Sequence, residues 1–258
     1  MNYGRTSLRR RAKQLDARGT RIRHKIGVIL GKLLLIGIIV GGCATVSFGV
    51  GAFKGILASA PDISEVDVIP TGYSTKVLAA DGSETAKLVA AGSNRQYVTI
   101  DQIPENLQHA VVAIEDERFY DHNGIDLKGI VRALVADVRT RDFSQGASTL
   151  TQQLIKNNVL NEQWANENDS NISKIEKMER QVQRKIQEQY LAIELEKKVN
   201  DKNWILENYL NSINLSAGTY GVQAAAQRYF GKNSEDLTLS ECAVLAAIPQ
   251  NPYAYNPS

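Results

Sequence analysis

The chain has 258 residues, with 30 Lys and Arg against 28 Asp and Glu and an apolar fraction of 43%. These values lie near globular averages and exclude a disordered, collagenous or disulfide-scaffold protein. The two cysteines, Cys43 and Cys242, make no disulfide framework.

The net charge of +2 averages two unlike segments. Residues 1–32 hold ten Lys and Arg and one acid, Asp16, a net +9; the other 226 residues hold 20 basic and 27 acidic side chains, a net −7. A split this sharp implies two environments. Between them, residues 33–53 form a run of 21 without a charge, the length of helix that a bilayer core requires. The positive cluster before the run is expected in the cytoplasm and everything after Lys54 outside it. The basic tail also suits anionic lipid headgroups. Three other readings fit less well. The 32-residue lead is long for a signal peptide. The apolar run continues past Val40-Gly41-Gly42-Cys43, against a lipoprotein site. The tail has no interleaved aromatics for nucleic acid.

Residues 54–74, with prolines at 61 and 70, read as a linker. Lys76–Leu78 and Lys87–Val89 flank Asp81-Gly82, which predicts a short β-hairpin. From Pro104 the periodicity is helical, with Leu107, Ala110, Val111 and Ile114 on one face. Residues 161–173 are polar and read as a loop. Residues 174–198 read as a long helix, 204–211 and 221–230 as shorter ones, and 239–248 as a last apolar helix stopped by Pro249. The part after the membrane run is mainly α.

Three clusters carry chemistry. The apolar stretch 110–114 runs into Glu115-Asp116-Glu117, where a carboxylate at the end of a buried helix suits a general acid or base; an exposed acidic helix end is the alternative. In Gly146-Ala147-Ser148-Thr149, Ser148 or Thr149 can cap a helix. Ser148, Gln152 and Lys156 then recur on one face as a polar strip suited to sugar and phosphate oxygens; a capped surface helix fits equally. Arg180, Arg184, Lys185 and Glu188 project to one side of the long helix. The cations favour the charged form of Glu188 and can grip a diphosphate; a solvated face with charge pairs is the usual outcome. Two carboxylates in unlike settings point to glycosyl transfer. His24, His109 and His122 form no metal-ligand motif.

Together these motifs resemble the peptidoglycan glycosyltransferase family, the polymerising domain of class A penicillin-binding proteins and of monofunctional cell-wall glycosyltransferases. The likeness covers roughly residues 75–258 in five ordered motifs. The first is carried by Glu115, Asp116, Phe119, His122 and Gly124, the second by residues 146–157 with Ala147 in place of a glycine, and the third by Arg180, Arg184, Lys185 and Glu188. The fourth spans residues 205–211, Tyr220-Gly221-Val222, Ala224 and Ala225, with Ser216 where the family often has glycine. The fifth runs from Leu237 or Leu239 to Pro249.

The resemblance implies a lysozyme-like, two-lobed helical domain with a membrane-facing apolar part, behind a basic tail (1–32), a transmembrane helix (33–53) and a linker (54–74). The implied activity is polymerisation of lipid II, a disaccharide-peptide on a polyprenyl diphosphate, into β-1,4 glycan with inversion. Glu115 would be the base for the acceptor hydroxyl, and Glu188 would organise the departing diphosphate. Ser148, Thr149, Gln152, Gln153, Lys156, Arg180, Arg184 and Lys185 would bind substrate. No cofactor is required, with room for a divalent Mg or Mn ion at the diphosphate. Expected partners are the nascent glycan, the membrane, and transpeptidase or other cell-wall synthesis proteins, with no nucleic acid. A lysozyme-like hydrolase and a non-catalytic cell-wall scaffold are the alternatives. The family domain usually runs somewhat past the fifth motif, and class A proteins add a Ser-x-x-Lys transpeptidase domain that is not found in these residues; the chain is therefore expected to be a fragment of a longer protein.

Overall fold

A computed structural model describes residues 5–64, 68–89, 94–140, 146–161, 164 and 172–257. Contacts divide the chain into two units, Met1–Ala58 and Ser59–Ser258. The first contains one helix, α1, Arg5–Ala58. Its stretch His24–Ala58 is long and apolar enough to cross a membrane and contains the uncharged run.

The second unit opens with residues that the sequence reads as a linker but that dock on the domain. Gln187 Nε2 donates to Ser59 Oγ at 3.1 Å and Lys198 Nζ to the carbonyl of Ile63 at 2.9 Å. Val68 is buried in the core, and its carbonyl accepts from Asn158 Nδ2 at 2.9 Å. The hairpin follows as β1, Thr75–Leu78, antiparallel to β2, Glu84–Leu88, with Thr75 opposite Leu88. Asp81-Gly82 sits inside a five-residue connection rather than forming a two-residue turn. Asp81 Oδ1 accepts from the backbone N of Ser83 at 2.9 Å, which tightens the loop.

Helix α2, Glu105–Glu115, begins after Pro104 and buries Leu107, Val111 and Val112. Then come α3, Leu127–Thr140, the short α4, Leu150–Ile155, and α5, Lys174–Val199. Of the expected 161–173 loop, residues 162–163 and 165–171 lie outside the described residues. Asn200, left-handed at φ 49°, ends α5, and Asp201 caps α6, Lys202–Ser212. Helix α7 is Val222–Phe230 and α8 is Leu239–Ala247. Pro249 does not stop α8 directly: it enters a 3-10 turn, Ile248–Gln250, that continues the helix.

Helix α4 is the hub, packed against both α5 and α6, with Leu150, Thr151, Gln152, Leu154 and Ile155 all buried. Around it Leu107, Leu191, Ile205, Leu206 and Leu210 are fully enclosed. A buried charge stitches these helices together. Glu196 accepts from Thr151 Oγ1 at 2.6 Å and pairs with Lys202 Nζ at 2.7 Å; Lys202 also donates to the carbonyl of His122 and lies 4.5 Å above the Phe119 ring. A buried ion pair is tolerated when the remaining donors and acceptors are satisfied in this way.

Ser216, the residue that stands in place of a glycine, takes the glycine conformation. It has φ 69° and is followed by Ala217 at 48° and Gly218 at 67°. Its carbonyl accepts from the backbone N of Thr219 at 2.8 Å, which closes the loop beside the Asn214–Tyr220 bridge. A left-handed non-glycine residue costs about 1–2 kcal/mol, partly offset by the lower entropy of the unfolded chain. Ser216→Gly is therefore expected to raise the melting midpoint by about 1–3 °C, measured by circular dichroism; a fall would show that the serine side chain stabilises the loop.

Candidate active site

The chain leaves helical geometry at Asp116, so Glu115 is the last residue of α2. Glu115 Oε2 accepts from Gln153 Nε2 at 2.9 Å. Its other oxygen, Oε1, is buried and has no hydrogen-bond partner among the described residues. Glu115 lines a polar cavity of about 230 Å³ together with Arg118, Asp126, Arg132, Ser148 and Thr149, among others. Burial pushes the Asp126 carboxyl up, but the hydrogen bonds from Arg118 and from the backbone N of Gly129 outweigh it and hold the group below its ordinary value.

Asp116, also buried, is committed to the fold. His122 Nε2 lies 3.0 Å from it, and the backbone N of Leu150 donates to it at 3.0 Å. That second bond satisfies a free N–H at the start of α4 and ties the acidic cluster to the Ser-Thr cluster. Asp116 and His122 therefore support the site, a role their motif positions alone did not disclose.

The Ser-Thr cluster differs from the predicted strip. Thr149, not Ser148, caps α4: its Oγ1 accepts from the backbone N of Gln152 at 3.2 Å and donates to the carbonyl of Gly124 at 2.7 Å. Thr149 is fully buried with its hydroxyl engaged on both sides. Ser148 thus precedes the helix, and Lys156 opens a π-helical turn, Lys156–Leu160, so the strip is not one regular helix face. Turns of this kind recur at functional sites because they re-aim side chains.

The motif-three cations nevertheless converge on that strip. Lys185 Nζ donates to Ser148 Oγ at 2.5 Å, Gln152 Oε1 at 3.0 Å and Glu188 Oε2 at 3.1 Å. The three acceptors use all three ammonium hydrogens. Arg184 Nε is 3.3 Å from Glu188 Oε1, an ion pair without hydrogen-bond alignment. Ser148, Gln152, Gln153, Lys156, Asn157, Arg184, Lys185 and Glu188 line a second cavity of about 240 Å³. Lys156 is exposed there and makes no ion pair among the described residues. Arg180 stands apart, pairing with Glu176 at 2.8 Å one turn earlier on α5.

Ser148 lines both cavities, and Gln153 lines the second while bonding the carboxylate of the first. The sites of Glu115 and Glu188 therefore adjoin. One carboxylate has an oxygen without a partner; the other is held among cations. Two adjoining carboxylates with such unlike partners are an arrangement suited to glycosyl transfer.

Residues 81–258 match the transglycosylase family. Penicillin-binding protein 1A of Clostridium perfringens (strain 13 / Type A) is 40% identical over 230 residues, covering 87% of this chain and 31% of that protein. The protein of the same name from Clostridium botulinum (strain Langeland / NCTC 10281 / Type F) is 38% identical over 234 residues, covering 89% and 26%. That of Aquifex aeolicus (strain VF5) is 47% identical over 163 residues, covering 63% and 20%. The chain thus spans less than a third of the length of these relatives. It belongs to the peptidoglycan transglycosylase family.

Proposed function

We propose that this domain polymerises lipid II into β-1,4 glycan at the outer face of the cell membrane, with inversion and release of the polyprenyl diphosphate. The observation that carries the reading is the contrast between the two adjoining carboxylates. Glu115 lines a polar cavity, with one carboxylate oxygen fixed by Gln153 and the other buried without a hydrogen-bond partner among the described residues, which suits removal of the proton from the acceptor's 4-hydroxyl. That oxygen attacks the anomeric carbon of the donor from the face opposite the leaving group, and the bond to the diphosphate breaks. The negative charge that accumulates there meets Lys156, Arg184 and Lys185, with Glu188 holding the latter two in place. Arg180, paired with Glu176, stands outside this set.

The donor set at Glu188, one carboxylate already paired with two cations, does not fit a protein-held Mg or Mn ion. Among the described residues no group of three His, Cys, Asp or Glu gathers as ligands. The reading assigns the leaving group to the protein's own cations; an Mg or Mn ion would have to arrive with the diphosphate oxygens rather than sit in a protein cage.

A lipid-borne substrate also accounts for α3. Leu127, Val131, Leu134 and Val135 form an apolar stripe, each more than half exposed, while Gly129 and Arg132 of the same helix line the Glu115 cavity. The basic tail and the apolar stretch of α1 support a single span with its N-terminus in the cytoplasm. The test is incubation of the purified chain in detergent with lipid II, followed by gel separation. A ladder of glycan polymer is the expected result. Shortening of added peptidoglycan, or binding without product, would overturn the reading.

A further inference from the structure

We propose that Tyr209, buried in α6, is a positioning residue that aims Glu115 by fixing the orientation of the Gln153 amide. This rests on the reading of Glu115 as the base. Tyr209 is 1% exposed and lines neither cavity, so it does not touch substrate. Its hydroxyl donates to Gln153 Oε1 at 3.2 Å, and Gln153 Nε2 donates to Glu115 Oε2 at 2.9 Å.

The chemistry of the three groups sets the direction of this chain. The base form of a carboxylate only accepts, so the amide must present its NH₂ end to Glu115. The amide carbonyl then faces Tyr209, whose hydroxyl has to donate. Burial, with the charges of Glu115 and Asp116, raises the phenol well above its ordinary value and keeps that proton in place. A glutamine amide is nearly symmetric in shape, and its terminal torsion is broad and roughly two-fold. Without the hydroxyl, the amide carbonyl loses its donor and the amide is held at one end only, by the carboxylate that it positions. Tethered at one end, the amide can swing about its broad terminal torsion, and its hold on Oε2 loosens. The other carboxylate oxygen, the unpartnered Oε1, would then lose its defined orientation.

The experiment measures kcat and KM on fluorescently labelled lipid II for the wild-type chain in detergent, for Tyr209→Phe, for Gln153→Ala and for the double variant. Tyr209→Phe keeps the ring in the core. We expect kcat to fall about tenfold, the effect of one hydrogen bond lost, with KM within about twofold because substrate contacts are retained. In the Gln153→Ala background the same change should cost nothing further, because Tyr209 acts through the amide. An equal loss in both backgrounds would mean a merely structural role and overturn the proposal, as would wild-type kcat in Tyr209→Phe. Should Tyr209→Phe fail to fold, Gln153→Met breaks the bridge from its half-buried end, and wild-type kcat there overturns the proposal equally. Glu115→Gln, run alongside, separates the two ideas. If it polymerises normally, the base reading falls and the positioning role with it. If it is inactive while the Tyr209 and Gln153 variants run at wild-type rate, only the positioning role falls.

Discussion

Glu115→Gln is expected to lower the initial rate of lipid II polymerisation by about 10²–10⁴-fold, the usual contribution of a positioned general base. The substitution is close to isosteric. The new amide oxygen can take the hydrogen bond from Gln153, which leaves an NH₂ group where the unpartnered Oε1 stood. That group donates and does not accept a proton. Neither neighbouring acid is placed to take over. Asp116 is held by His122 and by the backbone N of Leu150, and the Glu117 side chain is 69% exposed, facing Arg132 at 3.7 Å. The loss should therefore be nearly complete, with a melting midpoint close to that of the wild type. A rate within about tenfold of wild type would transfer the base role elsewhere.

The helices were legible because their apolar residues repeat at helical spacing, and α2, α5 and α8 lie within a residue or two of expectation. The charged residues of the site were legible as motifs, since each motif is short and contiguous or spans one helix. What was hidden depends on partners distant in sequence. Thr149 turns inward because the carbonyl of Gly124, 25 positions earlier, needs a donor. Lys185 meets Ser148 across 37 positions and Gln153 meets Glu115 across 38. Arg180 shares the face of Glu188 but sits two turns, about 12 Å, before it, and Glu176, one turn before Arg180, captures it. Residues 59–64 read as linker on proline content, although Lys198 and Gln187 hold their polar groups against α5. Tyr209 falls inside the fourth motif, but that motif assigns it no chemistry, and its role emerges only from the amide it faces.

Gly124→Ala is expected to be the most damaging single-atom change to the fold, and its cause is a backbone collision rather than the left-handed angle alone. Gly124 has φ 87°, and a Cβ there would stand 2.6 Å from the carbonyl carbon and oxygen of Ala192 and 2.8 Å from the backbone N of Ile193. Those atoms belong to the interior of α5 and cannot swing aside as a side chain tip would. The loop must lift away from the helix, which also strains the bond from Thr149 to the Gly124 carbonyl and with it the cap of α4. Ala192 lies one turn beyond Glu188, so the disturbance reaches both carboxylates. Strain of this kind, added to the left-handed penalty, costs about 3–5 kcal/mol, and the melting midpoint should fall by about 6–20 °C. Gly82 supplies the control. Its φ of 84° is nearly the same, but an added Cβ meets nothing within 4 Å. Gly82→Ala should therefore show the angular penalty alone, about 1–2 kcal/mol, or less if the exposed hairpin melts separately from the core. Equal shifts for the two alanines in a calorimetric scan would show that the contact with α5 contributes nothing beyond the backbone angle.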